Sequence, residues 1–304
     1  MKSVMQFAIA GAVMAGLGLA ANAAPTVDGV RDAAYGAAKA VQTVGTNFGN
    51  STSGNQSSAN GSELDAGYAI IDGANLHIFL SGNLETNFNK LDIFIDSVAG
   101  GQNQLRGDNV DVDFNGLNRM GNDGSGNGLK FDAGFTADYF LTTTGGNNPV
   151  EFFANFATLP TGGGGSGGFI GQSGPGNRVL NGNNGIVIGY DNSNTLGVNG
   201  LGNPNDSDPA TVTTGIELLI PLALIGSPNG TINISAFING GSHDFLANQN
   251  LGGLPAGTGN LGEPRSVDFS GIAGNQFFSV AVPEPTSLGL IGVGALAMLK
   301  RRRA

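Results

Sequence analysis

The stretch that decides the fold class is residues 66–81, AGYAIIDGANLHIFLS. Two apolar halves flank the sequence DGAN at residues 72–75, and these residue types favour a tight turn. In the second half Leu76, Ile78 and Leu80 occupy alternate positions and therefore share one face of an extended chain. The pattern predicts a β-hairpin with one buried face.

The same alternation continues outward from this hairpin. In residues 90–97, KLDIFIDS, the side chains of Leu91, Ile93 and Ile95 share one face, and Asp92 with its alternate neighbours lies on the other. Similar short runs, bounded by Gly, Asn, Asp, Ser and Pro, predict further strands at residues 110–114, 137–144, 150–156, 185–190, 212–220, 231–238 and 276–282.

Helical periodicity is absent between the two ends of the chain, apart from a single turn expected at residues 221–225 after Pro221. Residues 43–62 and 161–185 are polar and rich in glycine, and they are interpreted as mobile loops. Short strands with glycine-rich connections favour an all-β fold, a single large antiparallel β-sandwich of the jelly-roll type.

Composition excludes several classes of function. The 304 residues contain no Cys and no Trp, which excludes disulfides, thiolate zinc sites and cysteine nucleophiles. Residues 24–282 carry 22 acidic and 8 basic side chains, a formal charge of −14. Such a surface repels phosphate backbones, so nucleic acid is not an expected partner.

The first 23 residues have the form of a secretory signal. Lys2 is followed by an apolar run over residues 7–21, and Ala21 and Ala23 stand at the −3 and −1 positions of a cleavage site. The alternative, a membrane helix, requires about 20 apolar residues, which is more than this run supplies. We therefore expect a signal helix at residues 1–23 and export of the chain.

The C-terminus has the pattern of a second targeting segment. Pro283, Glu284 and Pro285 precede twelve apolar residues at 288–299, and a basic cluster closes the chain with Lys300, Arg301, Arg302 and Arg303. Twelve residues are short for a membrane span, although the basic cluster would hold this end on the cytoplasmic side of the inner membrane. A plain C-terminal anchor is the alternative interpretation.

Residues 283–304 resemble the PEP-CTERM sorting signal of bacterial proteins that exosortase processes. The resemblance implies a short C-terminal membrane helix that anchors the chain transiently, an exosortase-type enzyme as partner, and delivery to the cell surface or to an extracellular matrix that contains exopolysaccharide. Residues 24–282 would then be the exported domain.

The exported domain is also similar to DOMON and family 9 carbohydrate-binding-module sandwiches. The similar segments are Val27-Asp28-Gly29-Val30 with Tyr35, residues 63–68 (ELDAGY) and residues 215–222 (GIELLIPL). The resemblance implies a sandwich that binds sugar or haem in its relatives. This chain lacks the tryptophans that grip sugar rings, and its only histidines are His77 and His243.

A calcium site is the one cofactor that the residues suggest. Asp108, Asp111, Asp113 and Asn115 offer hard oxygens on a short acidic segment, and the spacing of the last three copies the first half of an EF-hand loop. Asn122 stands where the second half requires a bidentate Glu. The alternative interpretation is an edge strand with one solvated face; apart from calcium, no cofactor is expected.

Catalytic chemistry has little support in the sequence. His77 alternates with apolar residues and is expected to be a partly exposed filler, whereas His243 belongs to a loop. The segment GGSGG around Ser166 lies within a flexible glycine run instead of a strand-to-helix elbow. A glycosidase would need two acidic side chains that face each other across a cleft. The candidates for this pair are Glu85, Glu151, Glu217 and Glu263.

These observations predict an exported, non-catalytic surface or matrix protein associated with exopolysaccharide. A carbohydrate-binding module is the first alternative, and it would present a groove lined by aromatic and amide side chains. A secreted glycoside hydrolase is the second alternative.

Overall fold

The computed structural model describes residues 23–49, 61–198 and 208–283. This part of the chain contains thirteen strands and one α-helix of four residues, α1 (Gly116–Arg119). Single 3-10 turns lie at Ala33–Tyr35, Pro209–Thr211, Leu222–Ile225, Pro264–Ser266 and Phe269–Gly271. The strands are β1 (Ala40–Val41), β2 (Glu63–Asp72), β3 (Asn75–Asn83), β4 (Lys90–Asp96), β5 (Tyr139–Gly146), β6 (Glu151–Thr158), β7 (Gly167–Gln172), β8 (Val179–Asn181), β9 (Val187–Tyr190), β10 (Gly215–Pro221), β11 (Thr231–Asn239), β12 (Leu246–Asn250) and β13 (Phe278–Ala281).

The strands form two antiparallel sheets. The six-stranded sheet has the order β1-β2-β3-β10-β9-β8. The seven-stranded sheet has the order β12-β11-β4-β5-β6-β7, and β13 also pairs with β11. The chain crosses between the sheets at β3 to β4, β7 to β8 and β10 to β11, so each sheet is built from two separate blocks of sequence.

The main core lies between the two sheets. Leu76, Ile78 and Leu80 of β3 are fully buried there, in the same cluster as Ile93 and Ile95 of β4. The alternating patterns that predicted these strands therefore identified their inward faces correctly. The all-β sandwich expected from the sequence is confirmed.

The β2–β3 hairpin shows how the sequence sets the register. Ile71 pairs with Leu76 and Asp72 with Asn75, so Gly73 and Ala74 form a two-residue loop. Gly73 has a φ of +57°, a left-handed conformation in which glycine carries no Cβ penalty. The pairing set by that turn continues to Ala66 opposite Ser81, beyond which the register shifts by one residue.

Part of the outer face of the seven-stranded sheet is also buried, because a third layer covers it. We call residues 97–138, between β4 and β5, the cover segment. Its Phe131 packs on Phe94 of β4, with ring centroids 4.9 Å apart, and Phe94 in turn contacts Phe140 and Phe237 of the neighbouring strands. The face of β4 that carries Asp92 is consequently buried under this layer.

Three local predictions are wrong. Residues 110–114 form no strand, because Asp113 and the two residues after it have left-handed backbones. Residues 161–185, expected to be a mobile loop, contain β7 and β8, whose backbones pair with β6 and β9. His77, expected to be partly exposed, is only 2% exposed, because the N-terminal segment also covers the outer face of the six-stranded sheet near Tyr35 and Tyr68.

Both predicted terminal helices, at the signal and at the sorting tail, lie outside the described residues. Within the described ranges, no helix has the length and apolar character needed to cross a bilayer.

Candidate functional site: a phenylalanine-lined groove

The groove lies on the outer face of the seven-stranded sheet, beside the cover segment. Directly opposed residues of antiparallel strands place their side chains on the same face. Lys90 of β4 opposes Thr144 of β5, and Thr144 opposes Phe153 of β6. In the next row Asn155 opposes Phe169 of β7. These two rows form the floor of a groove of about 610 Å³.

Four phenylalanines line the groove. Phe88 and Phe153 lie side by side, with ring centroids 6.5 Å apart. Phe88 is 46% exposed and Phe169 is 52% exposed, whereas Phe114 is completely exposed. Most of the other lining residues supply charged, hydroxyl or amide groups. The remaining lining residues are Lys90, Asp111, Val112, Asp113, Thr144, Asn155 and Gly168.

Phe114 projects from an unusual turn. Asp113, Phe114 and Asn115 have φ values of 49°, 54° and 64°, three successive left-handed residues, none of them glycine. For an L-residue with a Cβ, the left-handed region costs roughly 1–2 kcal/mol. Outliers of this kind persist only where surrounding contacts hold them in place, and they are typical of functional sites.

Buried ion pairs hold this turn against the sheet. Asp113 Oδ2 lies 2.7 Å from Lys90 Nζ and 2.7 Å from His243 Nε2. On its other side the His243 ring approaches Asp92, with Nδ1 3.0 Å from Oδ2. All four side chains are nearly inaccessible to solvent, at 7% exposure or less. We call Lys90, Asp92, Asp113 and His243 the buried charge network.

The geometry of the network defines the charge of His243. Both ring nitrogens face carboxylate oxygens, which accept hydrogen bonds when ionised, so both nitrogens carry protons and the ring is an imidazolium. Burial by itself lowers the pKa of His243, but the charges and hydrogen bonds of Asp92 and Asp113 outweigh burial and raise this pKa to about 9. Two cations and two carboxylates leave the network neutral, as burial requires.

A second depression, of about 660 Å³, shares Asp113 and Phe114 with the groove. Its lining includes Arg119 and Arg265, which both bind Glu263 through side-chain hydrogen bonds of 2.6–3.2 Å. These bonds, the pair with Arg119 foremost, lower the pKa of Glu263 to about 2. Phe114 therefore borders both an apolar groove and a charged one.

The structure separates the residues that the sequence suggested for calcium. Asp108 forms a bidentate ion pair with Arg106, at 2.6 and 2.8 Å, and Asp113 is bound within the buried charge network. Asp111 is exposed at the groove, and Asn115 Oδ1 accepts a hydrogen bond from Asn118. In the described ranges no group of three or more His, Asp or Glu side chains is arranged to hold a metal. Calcium binding at residues 108–115 stays a prediction.

The four glutamates considered for hydrolysis have separate partners. Glu217 is buried and accepts hydrogen bonds from the backbone amides of Asp28 and Gly29 and from Tyr35. Burial raises the pKa of Glu217 to about 7 against these three donors. Glu85 accepts hydrogen bonds from Ser62 and Asn89, Glu151 accepts from Asn147 and Gln172, and Glu263 pairs with the two arginines described above.

Sequence patterns alone did not reveal the groove. Phe169 lies in a segment interpreted as a loop, and Phe114 in one interpreted as a strand. His243 contacts Asp92 and Asp113 across 151 and 130 residues of chain, separations at which no local spacing carries a signal. The one available hint was the run of residues 115–136 between two predicted strands, which is longer than most connections in compact domains.

Comparison with known proteins adds one match. Residues 281–303 match the family model of the PEP-CTERM protein-sorting motif. No curated protein matches the chain. No solved structure matches it. The motif marks an exported protein that exosortase sorts to the cell surface. Of the predicted sorting and cleavage residues, Ala23 and Pro283 lie within the described ranges, and Ala21, Glu284, Pro285, Lys300, Arg301, Arg302 and Arg303 lie outside them.

Proposed function

We propose that the exported domain binds an extracellular polysaccharide in the phenylalanine-lined groove and acts without catalysis. The proposal rests mainly on Phe114, an aromatic side chain that is fully exposed on a left-handed turn. Folding alone does not account for such a residue, because its ring buries no surface and its backbone is strained. A ligand that covers the ring would account for it.

The lining of the groove suits a sugar polymer. Sugar rings present apolar C–H faces, which pack on aromatic rings, and hydroxyl edges, which need hydrogen-bond partners. Phe88, Phe114 and Phe169 supply exposed aromatic surface along the walls. Asn155 and Thr144 supply amide and hydroxyl groups at the floor. This is the combination of aromatic and amide groups expected of a carbohydrate-binding module, built here from phenylalanine in place of tryptophan.

Cell-surface sorting supports the same ligand. A protein sorted to the cell surface is exposed to the polysaccharides outside the cell. The formal charge of −14 on residues 24–282 favours a neutral polymer, or an acidic one bridged by divalent cations, over a strongly anionic polymer alone.

A binding role without catalysis accords with the glutamates. Glu217 is sequestered by the N-terminal segment, and Glu263 is neutralised by two arginines, so neither is disposed as a general acid beside the groove. Incubation of the full chain with the polymer is expected to leave its chain length unchanged by size-exclusion chromatography. A shortened polymer would contradict the non-catalytic role.

The binding experiment compares variants on the extracellular polysaccharide of the host. Equilibrium binding of the full chain, with calcium and with chelator, is expected to saturate. Phe114→Ala and Phe169→Ala should each weaken it at least about tenfold, by loss of ring contact. Phe245→Ala is the matched control, because Phe245 is 44% exposed but stacks on Phe48 outside the groove lining.

Each outcome has a defined meaning. Saturable binding that only the groove variants weaken would support the proposal. Equal weakening by Phe245→Ala would assign the effect to general surface hydrophobicity, and an absence of binding by the wild-type chain would overturn the proposal. In the latter case the groove would be examined for a protein partner.

A further inference from the structure

A second polar cluster lies in the six-stranded sheet, outside the lining of the groove. Glu63 and Asp65 both belong to β2, where an irregularity of the β2–β3 pairing falls at Asp65, and both carboxylates reach the side-chain amide of Asn194. They are 2% and 0% exposed. Among the described residues neither carboxylate forms an ion pair with Lys, Arg or His, although burial of unpaired charge is strongly unfavourable.

The cluster has more hydrogen-bond acceptors than donors. Asn194 Nδ2 lies 3.1 Å from Glu63 Oε1, 3.1 Å from Asp65 Oδ2 and 2.5 Å from the carbonyl oxygen of Leu196. An amide nitrogen carries two hydrogens, and three oxygens converge on this one. The amide can therefore give separate hydrogens to only two of the three oxygens, and no cationic side chain of the described ranges pairs with either carboxylate.

An independent observation comes from the neighbouring strand. Asn83 of β3 opposes Glu63 directly, so its side chain lies on the same face. Its Nδ2 donates to the backbone oxygen of Asn194 at 3.1 Å, which places the amide beside the cluster. Asn83 is fully buried and its Oδ1 has no hydrogen-bond partner, and Asp65 Oδ1 has none either.

We propose that this cluster binds one calcium ion, with Glu63, Asp65, Asn83 Oδ1 and the Leu196 carbonyl oxygen as its protein ligands. The ion would take over the position at which these oxygens converge, with the Asn194 amide turning aside. Carboxylate, amide and backbone oxygens in a flexible arrangement suit calcium, whereas magnesium demands a tighter octahedron and keeps more water. Two carboxylates balance the charge of one divalent ion.

The site differs from the acidic segment at residues 108–115. There Asp108 and Asp113 already pair with cationic side chains, whereas Glu63 and Asp65 have no such partner in the described ranges. The competing account of the cluster is protonation. Burial raises the pKa of Glu63 well above its ordinary value and raises that of Asp65 to about 8, so protons would neutralise the acids if no cation did.

The test titrates calcium into the full chain after treatment with chelator. Isothermal calorimetry at pH 7.5 is expected to give one calcium per chain, with a melting temperature several degrees higher in 5 mM calcium than in chelator and little response to magnesium. Glu63→Gln and Asp65→Asn should each weaken calcium binding at least about tenfold. Asp108→Asn is the control and should bind as the wild-type chain does.

The outcomes separate the accounts. If calcium neither changes the melting temperature of the wild-type chain nor gives a heat of binding, the cluster is neutralised by protons and the proposal is overturned. If Asp108→Asn abolishes binding while Asp65→Asn preserves it, calcium binds at residues 108–115 and the proposal is likewise overturned. If Asp65→Asn fails to fold, Asp108→Asn still tests the location of the ion, because loss of calcium binding in that variant overturns the proposal and unchanged binding supports it.

Discussion

Gly116 lies against the imidazole ring of His243 at a distance that leaves no space for a methyl group. A Cβ at Gly116 would be 2.1 Å from His243 Cδ2 and 2.7 Å from Nε2, well inside van der Waals contact. Gly116 begins α1, directly after the left-handed turn that carries Phe114. The start of this helix and the buried charge network are therefore packed as one unit.

Gly116→Ala is expected to destabilise the protein by about 1–3 kcal/mol, because the methyl group must displace a ring held by two carboxylates. It should also weaken polysaccharide binding, since Asp113 positions the groove wall. Gly230→Ala is the control, because a Cβ at Gly230 meets nothing within 4 Å. Urea unfolding and binding measurements check both variants, and equal stability of the two would contradict the packing described.

Stability is expected to fall as the pH rises from 6.5 towards 9.5. The pKa of His243 is raised to about 9, so its stabilisation is fully present below about pH 6.5 and is lost as the pH passes through 9. The difference amounts to on the order of 3 kcal/mol. His243→Gln removes the titration, so the free energy of unfolding should depend less on pH in the variant.

The wild-type protein must be compared with His243→Gln because two other groups also titrate. Burial raises the pKa of Asp65 and Glu217, so their ionisation also lowers the free energy of unfolding as the pH rises, but at lower pH than His243. Only the difference between wild type and His243→Gln reports the network. Parallel pH profiles between 6.5 and 9.5 would show that the imidazolium contributes nothing to stability.

Phe114→Gly is expected to be more stable than Phe114→Ala by about 1 kcal/mol. Both variants lose the ring, but glycine adopts the left-handed conformation freely and alanine does not, and this relief exceeds the entropy that glycine loses on folding. Both should bind polysaccharide poorly. Urea unfolding of the two variants measures the strain, and a less stable glycine variant would contradict it.

Glu217 is expected to act as a structural residue. It accepts three hydrogen bonds, two from backbone amides of the N-terminal segment and one of 2.8 Å from Tyr35 Oη. Glu217→Ala leaves those donors buried without partners and should lower the free energy of unfolding by about 2–4 kcal/mol. Tyr35→Phe removes one donor and should lower it by about 1 kcal/mol. Loss of polysaccharide binding in a folded Glu217→Gln protein would argue against this role.

The sequence predicts this fold well wherever strands bury one apolar face. Leu91, Ile93 and Ile95 alternate because they enter the core between the sheets, and that periodicity is visible in the chain itself. The strand predicted at residues 110–114 shows the limit of the method. Val112 is buried as the alternation implies, but the neighbouring backbone turns left-handed under contacts from distant residues.

The site was less predictable for a related reason. Asp92 was correctly placed on the face of β4 opposite the core, yet that face is covered by the segment of residues 97–138. Its partner His243 lies in a loop and becomes buried only through tertiary packing. Glycine-rich β7 escaped prediction because it is defined by backbone pairing with β6, and its side chains contribute little pattern.

The last strand, β13, pairs along β11 from Ala281 opposite Thr231 to Phe278 opposite Ile234. The segment that matches the sorting motif begins at Ala281, the last residue of this strand. The sandwich and the sorting motif therefore adjoin with no linker between them, so a pull on the chain beyond β13 would be transmitted directly to the β11–β13 hydrogen bonds.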